Sequence, residues 1–144
     1  MNVEELFNNL DFENYSYFYH ITGGGNGESI CNEGLLMEEK ELRSTTIEIK
    51  SEMIKDVKNF ILNERGNNVR KTDEMVIISC PKEEVNYLVK NNNYISSNWE
   101  NDKTPEYIIP SEYIMGYIDM RESEENFTFT ANENYYFDEY GYGR

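Results

Sequence analysis

The sequence predicts an α+β domain, on three observations. Runs rich in aromatic and β-branched residues recur at positions 15–21, 75–80 and 113–118. Stretches with helical spacing of apolar residues lie between them, most clearly around Met53, Ile54, Val57, Phe60 and Ile61. The two kinds of segment are interspersed without the regular strand–helix–strand alternation of a parallel sheet. With 144 residues the chain is long enough for one domain with a real core. That domain is taken as residues 1–132, and residues 133–144 read as a loosely ordered, acidic, aromatic tail punctuated by glycine.

Taken in order, residues 3–10 fit a short amphipathic helix, and residues 15–21 a β-strand that carries the aromatic run Tyr17-Phe18-Tyr19 and His20-Ile21, with Thr22 next. Gly23-Gly24-Gly25-Asn26-Gly27 follows as a loop, then helical turns over residues 28–33, with Gly34 as their stop. Residues 44–49 alternate and are β-branched, so they form a strand or the lead into one. Ser51 suits the cap of a helix that runs to Gly66. The continuous apolar run Met75-Val76-Ile77-Ile78-Ser79-Cys80, bounded by Asp73 and Pro81, marks a central strand. Pro81 opens a helix over residues 81–88, which Asn91-Asn92-Asn93 breaks. After a polar loop holding Trp99 come Glu106-Tyr107-Ile108-Ile109, a turn begun by Ser111, a strand over 113–118 and a weaker one over 127–130.

Charge narrows the function classes. Twenty-eight acidic and 13 basic residues leave a formal charge of −15. Such a field keeps the protein dispersed and repels phosphate backbones, which argues against nucleic-acid binding by counterion release. Lys55, Lys58, Arg65, Arg70 and Lys71 read as a solvated helix face. Cys31 and Cys80 are far apart, no Cys-x-x-Cys occurs and His20 is the only histidine, so no structural zinc site or other metal centre is expected. Both cysteines sit in apolar company and read as inert thiols. The acidic N-terminus lacks an apolar signal core, and no apolar stretch reaches the roughly 20 residues that span a bilayer, so a cytoplasmic protein without membrane contact is expected.

His20 draws attention because a lone polar ring closes an otherwise buried strand, beside a loop that admits a ligand to the backbone. The glycine run does not match a phosphate-binding loop. Tyr19-His20-Ile21-Thr22, followed by Glu28-Ser29-Ile30 and Glu33-Gly34-Leu35-Leu36, resembles the opening of ADP-ribosyltransferase-like domains. The nearest echoes are toxins that modify DNA thymidine and the RNA 2′-phosphotransferases. Pro105-Glu106-Tyr107-Ile108-Ile109-Pro110 with Tyr113-Ile114-Met115-Gly116-Tyr117-Ile118 resembles the family's later strand, which an acidic residue leads. The two motifs frame residues 15–120 in the expected order.

The resemblance implies a split β-sheet clasping NAD as substrate. His20 then bonds the adenosine-ribose hydroxyls, and Thr22 supplies the hydroxyl two residues on. Glu106 bonds the nicotinamide-ribose 2′-hydroxyl; Glu112 competes for that assignment but sits in a turn after Pro110. Tyr19, with Tyr17, offers a surface for stacking nicotinamide. Arg43, Ser44 and Thr45 place a cation and hydroxyls near the pyrophosphate. The second-motif tyrosine of the histidine–tyrosine–glutamate class has no match, and Ser44-Thr45-Thr46 instead resembles the Ser-Thr-Ser strand of the arginine–serine–glutamate class. Thr104 stands where the arginine-modifying members carry Glu or Gln.

Besides a degenerate transferase-like domain that keeps the fold for interaction only, two functions stay open at this point. One is an NAD-dependent ADP-ribosyltransferase or NAD glycohydrolase, whose acceptor the charge tilts toward a protein or small molecule and away from nucleic acid. The other is an acidic nucleic-acid mimic that binds a basic protein partner without catalysis, through Glu38-Glu39, Glu122 to Glu125 and Asp138-Glu139. Removing residues 133–144 is expected to weaken the mimic and spare the enzyme.

Overall fold

The computed structural model of the protein describes residues 2–36, 47–66, 74–83, 108–120 and 127–135. Helix α1 (Val3–Asn8) starts from a reciprocal cap: Asn2 accepts from the Glu5 amide and the Glu5 carboxylate accepts from the Asn2 amide. Strand β1 (Tyr15–Thr22) and helix α2 (Asn26–Glu33) follow, and α2 ends at Gly34, whose φ of 91° only glycine adopts without strain. Next come β2 (Leu35–Leu36), β3 (Ile47–Ile49), a 3₁₀ turn (Ser51–Ile54) and α3 (Val57–Gly66). Strands β4 (Glu74–Pro81) and β5 (Ile108–Ile109), a 3₁₀ turn (Ser111–Tyr113), β6 (Ile114–Asp119) and β7 (Thr128–Ala131) complete the described elements.

The helix expected from Ser51 to Gly66 is therefore broken in two. Asp56 is the physical cause, because its carboxylate accepts from the Asn59 amide and its carbonyl from the Phe60 amide, which starts a helix afresh. The helix expected over 81–88 is described only at Lys82 and Glu83, which are helical.

Five strands form an antiparallel sheet in the order β3-β1-β4-β6-β7, and β2 pairs with β5 in a separate two-stranded sheet. The architecture is thus α+β, and β4 is central, as its unbroken apolar run requires. Side chains alternate across the main sheet and build two cores. Tyr17, Tyr19, Met75, Ile77, Met115, Ile118 and Phe129 pack with α1 and α3. Phe18, Val76, Ile78, Cys80 and Ile114 pack under Cys31 of α2, Leu35 of β2, Ile109 of β5 and Tyr113. These are called below the α3 face and the α2 face.

A bulge sets which β6 residues reach which face. Ile77 pairs with Gly116 but Ile78 pairs with Ile114, so Met115 is an extra residue and the alternation slips by one. Tyr117 consequently joins the α2 face and Ile118 the α3 face. Gly116 is required there: its φ is 154°, and a Cβ would lie 2.2 Å from the Thr130 carbonyl. Packing continues through Tyr135, which is buried in the α3-face core, so part of the segment expected to be a loose tail belongs to the fold. No helix among the described residues is long and apolar enough to cross a membrane.

Candidate functional site

Strand β1 carries the candidate residues, and its two-residue period separates them. His20 and Thr22 lie on the α2 face, where register places His20 beside Val76 and Thr22 beside Glu74. The His20 ring is half-buried, with Nδ1 inside the protein. Tyr19 lies on the opposite face with 2% of its surface exposed, packed edge-on to Phe60 at 5.4 Å between ring centres. Its hydroxyl donates to Glu64, and burial followed by that acid's charge pushes its pKa upward. Tyr17 is equally committed: it is 1% exposed and its hydroxyl oxygen accepts from the Asp11 amide. Neither ring can stack on a ligand held by His20. The expectation for Tyr19 is corrected here, because neighbours along a strand face opposite sides of the sheet.

The rungs beside His20 and Thr22 turn the end of the α2 face polar. One rung runs Thr22, Glu74, Asp119, Thr128, and the next along that face runs His20, Val76, Tyr117, Thr130. Further down the same face Phe18, Ile78 and Ile114 are fully apolar. Glu74 is the residue that sequence reasoning missed. It is 5% exposed, and its Oε1 accepts the Gly27 amide at 2.7 Å. The signal was an acid placed at the head of a strand buried along its whole length, because such a group is retained only when something bonds it.

Loop residues 23–25 are held at both sides. The Asn26 side-chain amide donates to the Thr22 hydroxyl at 3.2 Å, and the Asn26 backbone amide donates to the Gly23 carbonyl at 3.1 Å. Gly27 then meets the sheet so closely that a Cβ would lie 2.6 Å from Glu74 Oε1 and 2.6 Å from the Tyr117 ring. Cys31, one helical turn further along α2, is a buried free thiol with its pKa pushed up to about 12, first by burial and then by the charges of Glu74 and Glu28. At neutral pH it is a neutral thiol and no nucleophile.

The two sequence motifs meet on this face. Leu35 pairs with Ile109 and Leu36 with Ile108, and Ser111 donates its hydroxyl proton to the Cys31 carbonyl. Asn132, 4% exposed, donates to the carbonyls of Ser111 at 3.0 Å and Ile114 at 2.8 Å, and its Oδ1 accepts the Asn134 amide. Asn134 in turn donates to the Ser111 hydroxyl oxygen. A buried amide thereby ties the end of α2, the turn before β6 and the chain after β7 into one network. A truncation that spares this network must begin after Tyr135 rather than after residue 132.

Glu106, Arg43, Ser44 and Thr45 lie outside the described residues. Glu112 is exposed on the 3₁₀ turn. A cleft of about 150 Å³ between α1 and α3 is lined by Val3, Val57, Lys58, Ile61 and Phe127, so it opens on the α3 side, away from His20. Among the described residues no group of three or more His, Cys, Asp or Glu could hold a metal ion. No family model, no curated protein and no solved structure matches this chain.

Proposed function

We propose that this chain is an NAD-dependent ADP-ribosyltransferase, or an NAD glycohydrolase on the same scaffold, acting on a protein or small-molecule acceptor. One observation carries the reading. The strand that follows α2 after His20 and the strand that follows Glu106 pair as β2 with β5 and share one core with Phe18 of β1, although more than 70 residues separate the paired strands. Strand β5, the 3₁₀ turn and β6 of the main sheet follow one another, an order that supports the resemblance.

The chemistry fits those residue types. The C1′–N1 bond of NAD breaks and nicotinamide leaves with the bonding electron pair. The ribose then carries an oxocarbenium-like charge until an acceptor, or water, bonds C1′ and releases a proton. In this reading His20 and Thr22 hold ribose hydroxyls, and the Glu106 carboxylate bonds the nicotinamide-ribose 2′-hydroxyl and stabilises the cation. Removing a preorganised charge of that kind costs roughly 10²–10³ in rate.

Nicotinamide release from NAD tests the proposal. Release is expected from the wild type, with His20→Ala and Glu106→Gln each lowering the rate about 100-fold or more at unchanged melting temperature. Glu112→Gln at wild-type rate assigns the acid to Glu106. A wild type that releases no nicotinamide, or variants as fast as it, rejects the enzyme. The charge of −15 favours one other reading, an acidic mimic, which would instead bind a basic protein with an affinity falling steeply as salt rises.

A further inference from the structure

We infer that Glu74 is a positioning residue, clamping the loop after His20 and the start of α2 onto the sheet so that the ligand-facing edge of β1 is preformed. The inference rests on the functional reading above for its consequence in catalysis, but not for the clamp itself.

Helix α2 begins badly on its own terms. Its N-cap is Gly25, which has no side chain to accept from the first-turn amides, and no local cap bond forms. The missing acceptor comes from another element. Glu74, at the head of β4 and 47 residues away, bonds the Gly27 amide with its Oε1. The bond is buried and its donor lies in the first turn, at the positive end of the helix. Glu74 is also the register partner of Thr22, the last residue of β1, and the Thr22 hydroxyl holds Asn26. Residues 22–27 are thus closed into a loop whose two sides are both tied to the same rung of the sheet. Gly27 completes the fit, since only a residue without Cβ lies this close to Glu74 and the Tyr117 ring. A carboxylate buried in this way is expensive. Its retention is explained by the loop that it holds, two residues from His20.

Amide hydrogen exchange and steady-state nicotinamide release on the full chain test the clamp together. Glu74→Ala is expected to speed exchange at Gly27 about tenfold or more, and to raise KM for NAD by a similar factor with a smaller change in kcat. Glu74→Gln, whose amide oxygen still accepts, is expected to stay within about threefold of wild type in both readouts. That rescue separates a positional role from a need for the charge. Unchanged Gly27 exchange in the alanine variant, or a glutamine variant as impaired as the alanine one, overturns the inference. Should Glu74→Ala fail to fold, Glu74→Gln decides alone: retained Gly27 protection supports the clamp and lost protection refutes it. A wild type without nicotinamide release removes the transferase reading, while the exchange result still decides the clamp.

Discussion

The two faces of the main sheet are made by alternate residues of the same strands, yet they are built on different principles. On the α3 face the inward residues are apolar or aromatic apart from the buried Ser79, and Tyr17 and Tyr19 use their hydroxyls to bond Asp11 and Glu64. On the α2 face the lower half is equally apolar, but the upper end presents His20, Thr22, Glu74, Tyr117 and Asp119 along two adjacent rungs. The first face contributes stability through close packing. The second places polar groups that only its supporting network keeps in register, so its failure mode is misplacement rather than unfolding.

Three substitutions or conditions break or sharpen this contrast. The largest effect is expected on the α3 face. Phe60 packs edge-on against both Phe7, at 6.0 Å, and Tyr19, at 5.4 Å, so Phe60→Ala should cost about 3–5 kcal/mol in chemical denaturation. Nicotinamide release per folded molecule should not change, and a specific loss there would dissolve the distinction between the faces.

A smaller effect is expected at the network that supports the α2 face. Asn132→Ala leaves the half-buried Ser111 carbonyl and the buried Ile114 carbonyl without their side-chain donor, at about 1–3 kcal/mol. Because Ser111 ties the turn to α2, this variant should also lose activity beyond its loss of folded fraction. Activity that merely tracks stability would show that the network is ordinary packing.

The smallest effect is expected from pH. Burial raises the pKa of Tyr17 and Tyr19 above the ordinary 10.0, and that of Cys31 from 9.0 to about 12. In each case the unfolded chain loses its proton first, so the folded state binds more protons and stability falls as pH rises. The loss should begin near pH 9 with Cys31, on the α2 face, and deepen above pH 10 with the tyrosines, on the α3 face. Thermal melts of Cys31→Ala and Tyr19→Phe should each flatten their own part of that decline. An alkaline profile identical to wild type in both would show that these groups do not titrate differently on folding.

What could be read in advance, and what could not, follows the range of the forces involved. Strand β1, the Gly34 stop, the central position of β4 and the turn before β6 all rest on local periodicity, capping and proline or glycine chemistry, and each lies in the sequence where the structure has it. The fault in grouping Tyr17 and Tyr19 with His20 was also local, because a period of two already assigns them to the other face. The apolar spacing runs straight through Asp56, which hides the helix start there.

The composition and the alternating pattern by themselves determined an acidic α+β domain with a buried central strand and a lone imidazole near the end of another strand. Tertiary structure alone decided which acid stands beside that strand end. It did so through pairings across dozens of residues and through one extra residue, Met115, that rotates Tyr117 onto the other side of the sheet. A side chain's direction in a strand is local, but its neighbours are chosen by register, and register is settled only when both faces are buried at once.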